Sequence, residues 1–208
     1  MNNIVKLENI STVRNEALIN DNVSIIVHSG TGLVLRGKNG VGKTTLMRAI
    51  AGYLPISSGT ISINNACVSE VDLASVCHFI GEAGGLKDYY SVQEDLSHWA
   101  SVAGIAKNIS KDNIVSALEA FGISDLAHTK TTMLSQGQKK RVALSRLLVL
   151  NRPIWLLDEP TNGLDKATIK KLNSVIENHL SQGGIVICAS HLDINFKHIK
   201  HTLEMAKV

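Results

Sequence analysis

The feature that most constrains this chain is a glycine-rich segment of eight residues between an apolar stretch and a helix-forming stretch. Leu33–Leu35 form a predicted strand before it, and Thr44–Leu54 follow as a predicted helix that ends near Pro55. The segment fits the pattern GxxxxGK[ST] with Gly37, Lys38, Asn39, Gly40, Val41, Gly42, Lys43 and Thr44. Glycines let a backbone curl around phosphate oxygens, and the start of a helix attracts anions. The segment therefore predicts a site for nucleotide phosphates rather than a simple turn.

Three side chains at the end of this segment are candidate ligands. Lys43 places a positive charge beside the β and γ phosphates, and the Thr44 hydroxyl is a candidate ligand of Mg²⁺. Thr45 follows in the first turn of the predicted helix and is expected to contact ATP as well. The predicted ligands are thus ATP and Mg²⁺.

A second predicted apolar strand is followed directly by two acidic residues. Ile154–Leu157 precede Asp158 and Glu159, although acidic residues are poor strand formers. Ligands of open α/β sheets bind at the carboxyl ends of the strands, so we expect these acids beside the phosphate loop. Asp158 is placed to hold Mg²⁺, and Glu159 is the candidate to polarise the attacking water. The alternative is a strand that simply ends in solvated acids.

The rest of the pattern predicts an α/β fold. Ile4–Val27 indicate antiparallel strands at a sheet edge, with turns at Asn15 and at 20–22, and Ser91–Thr131 indicate a helical insertion. Helices and strands then alternate, which predicts a parallel sheet covered by helices. The remaining predicted elements are strands Gly59–Ile63, Val76–Ile80 and Ile185–Ala189, and helices from Ser135 to Leu150 and from Lys166 to Leu180. No linker separates independent domains, so we expect one domain over 1–208, with a helical subdomain at about 86–150.

Composition excludes several classes of protein. The net charge of +3 is too small for the basic surface of a nucleic-acid-binding protein, so we expect no nucleic acid partner. The three cysteines, Cys67, Cys77 and Cys188, lack the spacing of a zinc site or a disulfide framework. The N-terminus does not resemble a signal peptide, and no apolar run has the roughly 18 residues of a membrane span. A cytoplasmic protein is expected, with any membrane spans supplied by another chain.

The segment Leu134–Arg141, LSQGQKKR, resembles the signature sequence of ABC ATPases. Ser135 is expected to cap a helix whose first N–H groups form a second anion site, which Gly137 keeps open. In that family, each ATP lies between the phosphate loop of one subunit and the signature of the other. The resemblance therefore implies a homodimer in which Ser135, Gln136, Gly137 and Gln138 act on the ATP of the opposite subunit.

Two more segments resemble ABC motifs in the expected order. Pro160–Asp165 resembles the D-loop, and the resemblance implies that Asp165 crosses the dimer interface. His191 follows a predicted strand and resembles the switch histidine, which contacts the γ-phosphate. These motifs together define the expected fold class: an ABC-type P-loop ATPase with a mainly parallel core sheet, an antiparallel β edge and a helical subdomain.

The chain departs from the family pattern at two places. The segment Val13–Glu16, where the family has an aromatic residue against adenine, has none, and the guanidinium of Arg14 is the candidate to stack there. Glu82 stands where the family usually has glutamine. Its carboxylate either approaches Mg²⁺ or faces solvent, and the sequence does not decide between them.

Within the ABC ATPases, the segments LSQGQKKRVALSRL and WLLDEPTNGLD look most like the haem exporter ATP-binding subunits of bacterial cytochrome c maturation. That resemblance implies integral membrane partners resembling CcmB and CcmC, at the cytoplasmic face of the cell inner membrane. The alternatives are an ABC transporter of another solute, a soluble ABC ATPase of DNA repair or translation, and a module that binds ATP without hydrolysis. The last is disfavoured by the presence of four intact residues, Lys43, Asp158, Glu159 and His191.

Apolar residues of the segment from Glu82 to Trp99 are candidates for the contact with a membrane subunit. Leu86, Tyr89 and Tyr90 either receive a short helix of the partner or pack the core of the subdomain. The histidines near the C-terminus are not interpreted as haem ligands, because the chain has no CxxCH motif.

Overall fold

The computed structural model describes residues 4–64, 66–67, 76–105, 109–190 and 199–206. They belong to two compact units. The first unit comprises Met1–Phe79, Pro153–Glu159 and Ile176–Val208, and the second comprises Ile80–Arg152 and Pro160–Val175.

Two sheets are built from the described strands. The strands are β1 (Ile4–Arg14), β2 (Ala17–His28), β3 (Gly32–Arg36), β4 (Ser58–Ile63), β5 (Ala66–Cys67), β6 (Cys77–Ile80), β7 (Ile154–Asp158), β8 (Ile185–Ala189) and β9 (Ile199–Glu204). One sheet has the order β2-β1-β4-β5 and antiparallel pairing, and the other has the order β6-β7-β8-β3-β9. Strands β7, β8, β3 and β9 pair in parallel. The predicted α/β class with a parallel core sheet is confirmed, and the antiparallel strands form a sheet of their own.

One apolar core joins both sheets of the first unit to helix α1 (Lys43–Ile50). Most of the strands contribute valine, isoleucine or leucine side chains to it, and β7 and β8 are buried along their whole length. This near-continuous burial is typical of parallel strands that are covered on both faces. Helix α1 ends at Ile50, earlier than predicted, because Gly52 adopts a left-handed conformation (φ 75°) directly after its C-cap. The core therefore supports the segments on both sides of the phosphate loop.

The β1–β2 hairpin corrects one sequence prediction. Its turn is at Asn15 and Glu16, which both have positive φ as a tight hairpin turn requires. The second turn predicted at residues 20–22 was wrong, because β2 continues through them to His28. Asn20 is buried, and its Nδ2 donates a hydrogen bond to Thr12 Oγ1 at 2.8 Å. A turn-forming residue is tolerated inside the strand because its amide has a buried partner.

The second unit contains the predicted helical segment. Its helices are α2 (Val92–Val102), α3 (Lys111–Ala120) and α4 (Gln136–Leu150), with short 3₁₀ turns at Ser124–Leu126 and Thr131–Met133. Both α2 and α3 pack against α4. Each of the three helices begins with a serine capping box, in which the serine and the third helical residue exchange hydrogen bonds. A further helix, α5, spans Lys166–Ser181.

A histidine of α5 is stacked on a tryptophan of β7 in the first unit. The rings of His179 and Trp155 are nearly parallel (7°), with centroids 3.6 Å apart. His179 Nε2 lies 3.2 Å from the carbonyl oxygen of Pro153, and its ring packs directly on Gly184, where a Cβ atom would collide with it. Burial lowers the pKa of His179 from 6.5 to about 4. The imidazole therefore remains neutral at physiological pH.

We expect this histidine to make the fold less stable in mild acid. Between pH 6.5 and about 4, the unfolded chain binds a proton at His179 that the folded chain excludes. The unfolding free energy therefore falls with decreasing pH by at most about 1.4 kcal/mol per pH unit from this group. Urea unfolding at about pH 7 and about pH 5 should show a smaller difference for His179→Phe than for the unmodified chain. His128→Phe, at an exposed histidine, is the control. Equal pH dependence of the unmodified chain and His179→Phe would contradict the prediction.

Candidate nucleotide-binding site

The predicted phosphate loop lies between β3 and α1, as the sequence indicated. Gly42 is the N-cap of α1 with a left-handed φ of 104°, and no side chain caps the helix. The first turn also has no acidic residue. The N–H groups at the start of α1 are therefore available to an anion, and the positive end of the helix favours one. Within the loop Lys38, Asn39 and Gly40 are exposed, Gly37 is half-buried, and Val41 and Thr45 are buried.

The shape of the loop depends on two neighbouring segments of the chain that sequence reasoning missed. A Cβ atom at Gly42 would lie 2.7 Å from Asn20 Oδ1 and 2.8 Å from Ile19 Cγ2. A Cβ atom at Gly37 would lie 2.6 Å from the carbonyl oxygen of Met205. The chain therefore packs tightly against the loop at two of its glycines. Asn20 was missed because the sequence suggested a turn there, and a strand asparagine has no local signature of this contact.

The ammonium group of Lys43 is held inside the loop. Its Nζ donates to the carbonyl oxygens of Gly37 at 2.7 Å and Lys38 at 3.2 Å, and the side chain is buried. An ammonium group has three donors, so two such bonds leave one N–H for a phosphate oxygen. The position of the ammonium group is thus fixed by the backbone of the loop itself.

Thr44 and Asp158 meet directly. Thr44 Oγ1 donates a hydrogen bond of 2.7 Å to Asp158 Oδ2, which joins the start of α1 to the end of β7. A hydroxyl and a carboxylate are oxygen ligands suited to Mg²⁺, which commonly takes one or two protein oxygens together with substrate phosphates. Within the described ranges, no group of three or more His, Cys, Asp or Glu side chains could hold a metal ion. The donor set therefore fits an Mg²⁺ ion that is bound together with a nucleotide.

Glu159 follows Asp158 in an unusual backbone conformation. Its φ is 44°, and its N–H donates to the carbonyl oxygen of Ala189 at 2.9 Å. A left-handed conformation is uncommon for a residue with a side chain and is seen at functional sites. The side chain is buried, with 8% of its surface exposed. The chain thus turns sharply at the residue predicted to act on water.

The signature segment lies in the second unit at the start of α4. Ser135 caps the helix: its Oγ accepts from the N–H of Gln138 at 3.3 Å, and Gln138 Oε1 accepts from the N–H of Ser135 at 2.8 Å. Ser135 and Gln136 are exposed, and Gly137 and Gln138 are half-buried. Gly137 lies so close to Gly163 that a Cβ atom would be 3.3 Å from its carbonyl oxygen. The structure therefore brings the signature and D-loop segments together.

Two acids of the second unit have local partners. Asp165 Oδ1 accepts from the N–H of Thr168 at 2.7 Å, and this hydrogen bond lowers the pKa of Asp165. The residue is exposed and caps the first turn of α5. Glu82 is exposed, and its Oε1 accepts a long hydrogen bond of 3.4 Å from Asn162 Nδ2. Asn162, within the D-loop segment, is a partner of Glu82 that sequence reasoning did not identify.

The remaining predicted site residues are those assigned to the adenine base, the switch histidine and the membrane contact. Arg14 is exposed beside the hairpin turn, and the cross-strand pair Val13 and Leu18 next to it is 41% exposed at each residue. His191 lies outside the described residues. In the second unit, Tyr89 is 89% exposed and Leu86 is half-buried. The exposure of Tyr89 excludes a role for it in the core of that unit.

None of the described helices is both long enough and apolar enough to cross a membrane.

Comparison with known proteins identifies the class of protein to which the chain belongs. Residues 20–162 match the sequence model of the ABC transporter family, which covers more than half of the chain. The chain belongs to this family. It is an ATP-binding subunit of the ABC type with the ATPase activity of that class.

Curated relatives narrow the class further. The chain is similar to the cytochrome c biogenesis ATP-binding export protein CcmA of Chelativorans sp. (strain BNC1), with 38% identity over 91% of this chain and 92% of the relative. It is also similar to CcmA of Rhizobium meliloti (strain 1021), with 36% identity over 95% of each chain. The similarity therefore extends over nearly the full length of these ATP-binding export proteins.

Solved structures agree with the fold. The chain is similar to cbiO1 from Clostridium perfringens, part of the ABC transporter complex cbiONQ, with a TM-score of 0.80 and 27% identity over 99% of this chain and 85% of that one. An ATP-binding subunit of an ABC transporter matches with a TM-score of 0.88 and 22% identity over 97% of this chain and 85% of that one. At that identity the second match supports the fold alone.

Proposed function

We propose that this chain hydrolyses ATP to drive haem export or delivery in cytochrome c biogenesis, as the subunit of a membrane transport complex. The observation that supports the cargo is the similarity to CcmA proteins over nearly the whole chain. The observation that supports hydrolysis is the Thr44–Asp158 contact beside a lysine held inside the phosphate loop. An ABC transporter of another solute is the alternative, because an ATPase subunit does not itself select the cargo.

In this proposal the first unit binds the nucleotide. Lys43 and the N–H groups of residues 37–45 bind the phosphates. Thr44 and Asp158 would hold Mg²⁺, which would neutralise phosphate charge. Glu159 accepts a hydrogen bond from the attacking water and orients it toward the γ-phosphate. The burial and the tight turn of Glu159 support this role, because a fixed carboxylate orients water better than a mobile one.

The second unit would act on the nucleotide of another copy. We infer a homodimer in which Ser135, Gln136, Gly137 and Gln138 contact the γ-phosphate bound by the partner subunit. The exposure of Ser135 and Gln136 at the N-terminal end of α4 supports this, because the start of a helix attracts anions. Asp165 is proposed to cross the dimer interface and position groups around the opposite site, and His191 is proposed to contact the γ-phosphate. Arg14, beside exposed Val13 and Leu18, is the proposed contact of the adenine base.

The membrane contact is proposed for the loop that precedes α2. We infer that Tyr89, Tyr90 and Leu86 receive a segment of a membrane subunit resembling CcmB or CcmC, at the cytoplasmic face of the inner membrane. Tyr89 is the strongest support, because an 89% exposed aromatic side chain offers a large apolar surface with a polar tip. Aromatic residues of this kind often dominate the binding energy of an interface.

The experiment that tests the function is affinity purification of the chain from gently solubilised native membranes, with the co-purifying proteins identified by mass spectrometry. We expect haem-handling membrane subunits, and roughly tenfold less of them with Tyr89→Ser. Val102→Ser is the matched control, because Val102 is an exposed apolar residue of the same unit. In parallel, cells that lack the chain should regain covalent haem on their c-type cytochromes with the unmodified chain and not with Glu159→Gln.

Other outcomes replace parts of the proposal. Recovery of a different permease, with normal c-type cytochromes in cells lacking the chain, would replace the cargo and retain the ATPase. Recovery of ribosomes or DNA-repair proteins would contradict the transport function altogether.

A further inference from the structure

A buried ion pair in the second unit binds the backbone of the loop that carries Glu82. Arg146 of α4 and Asp95 of α2 are 2.8 Å apart between Nη2 and Oδ2, and their side chains are 4% and 0% exposed. The same guanidinium donates to the carbonyl oxygens of Gly84 at 2.6 Å and Gly85 at 3.2 Å. The other oxygen of Asp95 accepts from the N–H of Lys87 at 3.0 Å. Three backbone groups of the segment 84–87 are thus bound by one pair of charges.

Further contacts hold the pair and the loop in place. The Arg146 guanidinium lies over the ring of Trp99, 4.5 Å from its centroid, which is a cation–π geometry. Thr131 Oγ1 donates to the carbonyl oxygen of Lys87 at 2.6 Å, and Thr131 is buried. Thr131 precedes the signature segment by a few residues. The loop is therefore bonded both to Arg146 within α4 and to a residue just before the start of α4.

Packing alone does not explain this pair. Buried ion pairs cost desolvation, and apolar side chains of similar volume often stabilise a fold equally well or better. However, no apolar side chain can donate to two carbonyl groups or accept from an N–H. What the pair supplies, beyond volume, is a fixed backbone for the loop between β6 and α2.

The loop fixed in this way connects two candidate functional segments. Glu82 lies two residues before Gly84, and it contacts Asn162 of the D-loop segment. Arg146 belongs to the same helix as the signature residues, which begin α4. Side-chain contacts of Arg146 therefore connect α4 directly to the backbone of the loop of Glu82.

We propose that Arg146 and Asp95 are positioning residues for ATP hydrolysis: their ion pair makes the loop of Glu82 and the signature helix move as one body. The proposal rests on the proposed function, because it concerns the hydrolytic cycle of the same chain. Neither residue touches the reacting atoms. Their effect is on the geometry of the loop and so on turnover rather than on ATP binding, which depends on Lys43 in the other unit.

The test replaces both charges at once with apolar side chains, Arg146→Met together with Asp95→Leu, in the full chain. This avoids leaving one buried charge without its partner, which would destabilise the fold. Hydrogen exchange of the Lys87 amide, which is bonded to Asp95, should become at least about tenfold faster. The turnover number for ATP should fall roughly tenfold, with ATP affinity unchanged within about twofold.

A control and a conservative variant complete the experiment. Arg152→Met removes a different arginine of the same unit, whose Nη2 donates to the carbonyl oxygen of Ala103 at 3.0 Å, and should change neither measurement. Arg146→Lys keeps a positive charge opposite Asp95 and cannot reproduce the fork to two carbonyls. It should shift both measurements in the same direction by a smaller amount, and it replaces the double variant if that protein does not fold.

The outcomes separate this proposal from the proposed function. Unchanged Lys87 exchange or unchanged turnover in a folded variant would overturn the positioning role and leave a purely structural ion pair. An unmodified chain without ATP turnover, alone or with its membrane partners, would contradict the proposed function. In that case the hydrogen exchange of Lys87 would still show whether the Arg146–Asp95 pair fixes the loop. The proposed role of the pair in ATP hydrolysis would be rejected.

Discussion

Glu159→Gln is expected to reduce ATP turnover by roughly 10²- to 10³-fold while ATP binding is retained, because glutamine keeps the size of the side chain and loses the basic oxygen. The buried position and left-handed backbone of Glu159 leave the replacement in the same place. Bound ATP should then accumulate in a closed dimer, visible as an earlier elution in size-exclusion chromatography with ATP and Mg²⁺. Turnover is measured as phosphate release.

The control for this variant is Glu119→Gln, a change at an exposed glutamate of α3. It should hydrolyse ATP at the rate of the unmodified chain. Equal turnover by Glu159→Gln would remove Glu159 from its proposed role. A monomer that persists with ATP and Mg²⁺ would instead contradict the proposed homodimer.

Lys43→Ala should weaken ATP binding by roughly 30- to 100-fold, because a charge-assisted hydrogen bond in a buried position contributes about 2–3 kcal/mol. The side chain is 6% exposed and already oriented by the carbonyl groups of Gly37 and Lys38. Lys43 is the donor of both hydrogen bonds, so the alanine variant loses the charge and both of these contacts. Isothermal titration with a non-hydrolysable ATP analogue measures the change directly.

Lys170→Ala, at an exposed lysine of α5, is the control for this loss of charge. Thermal unfolding of Lys43→Ala should confirm that the loop variant remains folded. Nucleotide affinity equal to that of the unmodified chain would show that the loop binds phosphates through its backbone alone.

Local sequence patterns predicted the parts of the fold that depend on neighbouring residues. The strand before Gly37 and the helix after it, the buried strand before Asp158, and the cap at Ser135 all follow from hydrophobic pattern and capping chemistry over a few residues. The contact of Thr44 with Asp158 was expected only as proximity, from the rule that ligands bind at the carboxyl ends of strands.

Contacts between residues distant in sequence were not predictable in this way. Arg146 and Asp95 are 51 residues apart, and an arginine in a helix is typically an exposed residue. Asn20 suggested a turn, because its burial depends on Thr12 of the neighbouring strand and not on its own sequence neighbours. The left-handed conformation of Glu159 likewise depends on β8, through Ala189.

The contact between Gly42 and β2 also limits how such a chain can change its sequence. Gly42 adopts φ 104°, and the space where a Cβ atom would stand is already occupied by Asn20 and Ile19. If Asn20 were replaced by a residue with a shorter side chain, a non-glycine residue at position 42 would still have a strained backbone and would still collide with the methyl group of Ile19. A larger residue at position 42 would therefore need compensating changes at both neighbours and would still have a strained backbone. The antiparallel sheet, which contributes no proposed catalytic group, thus restricts which phosphate loops this fold can accept.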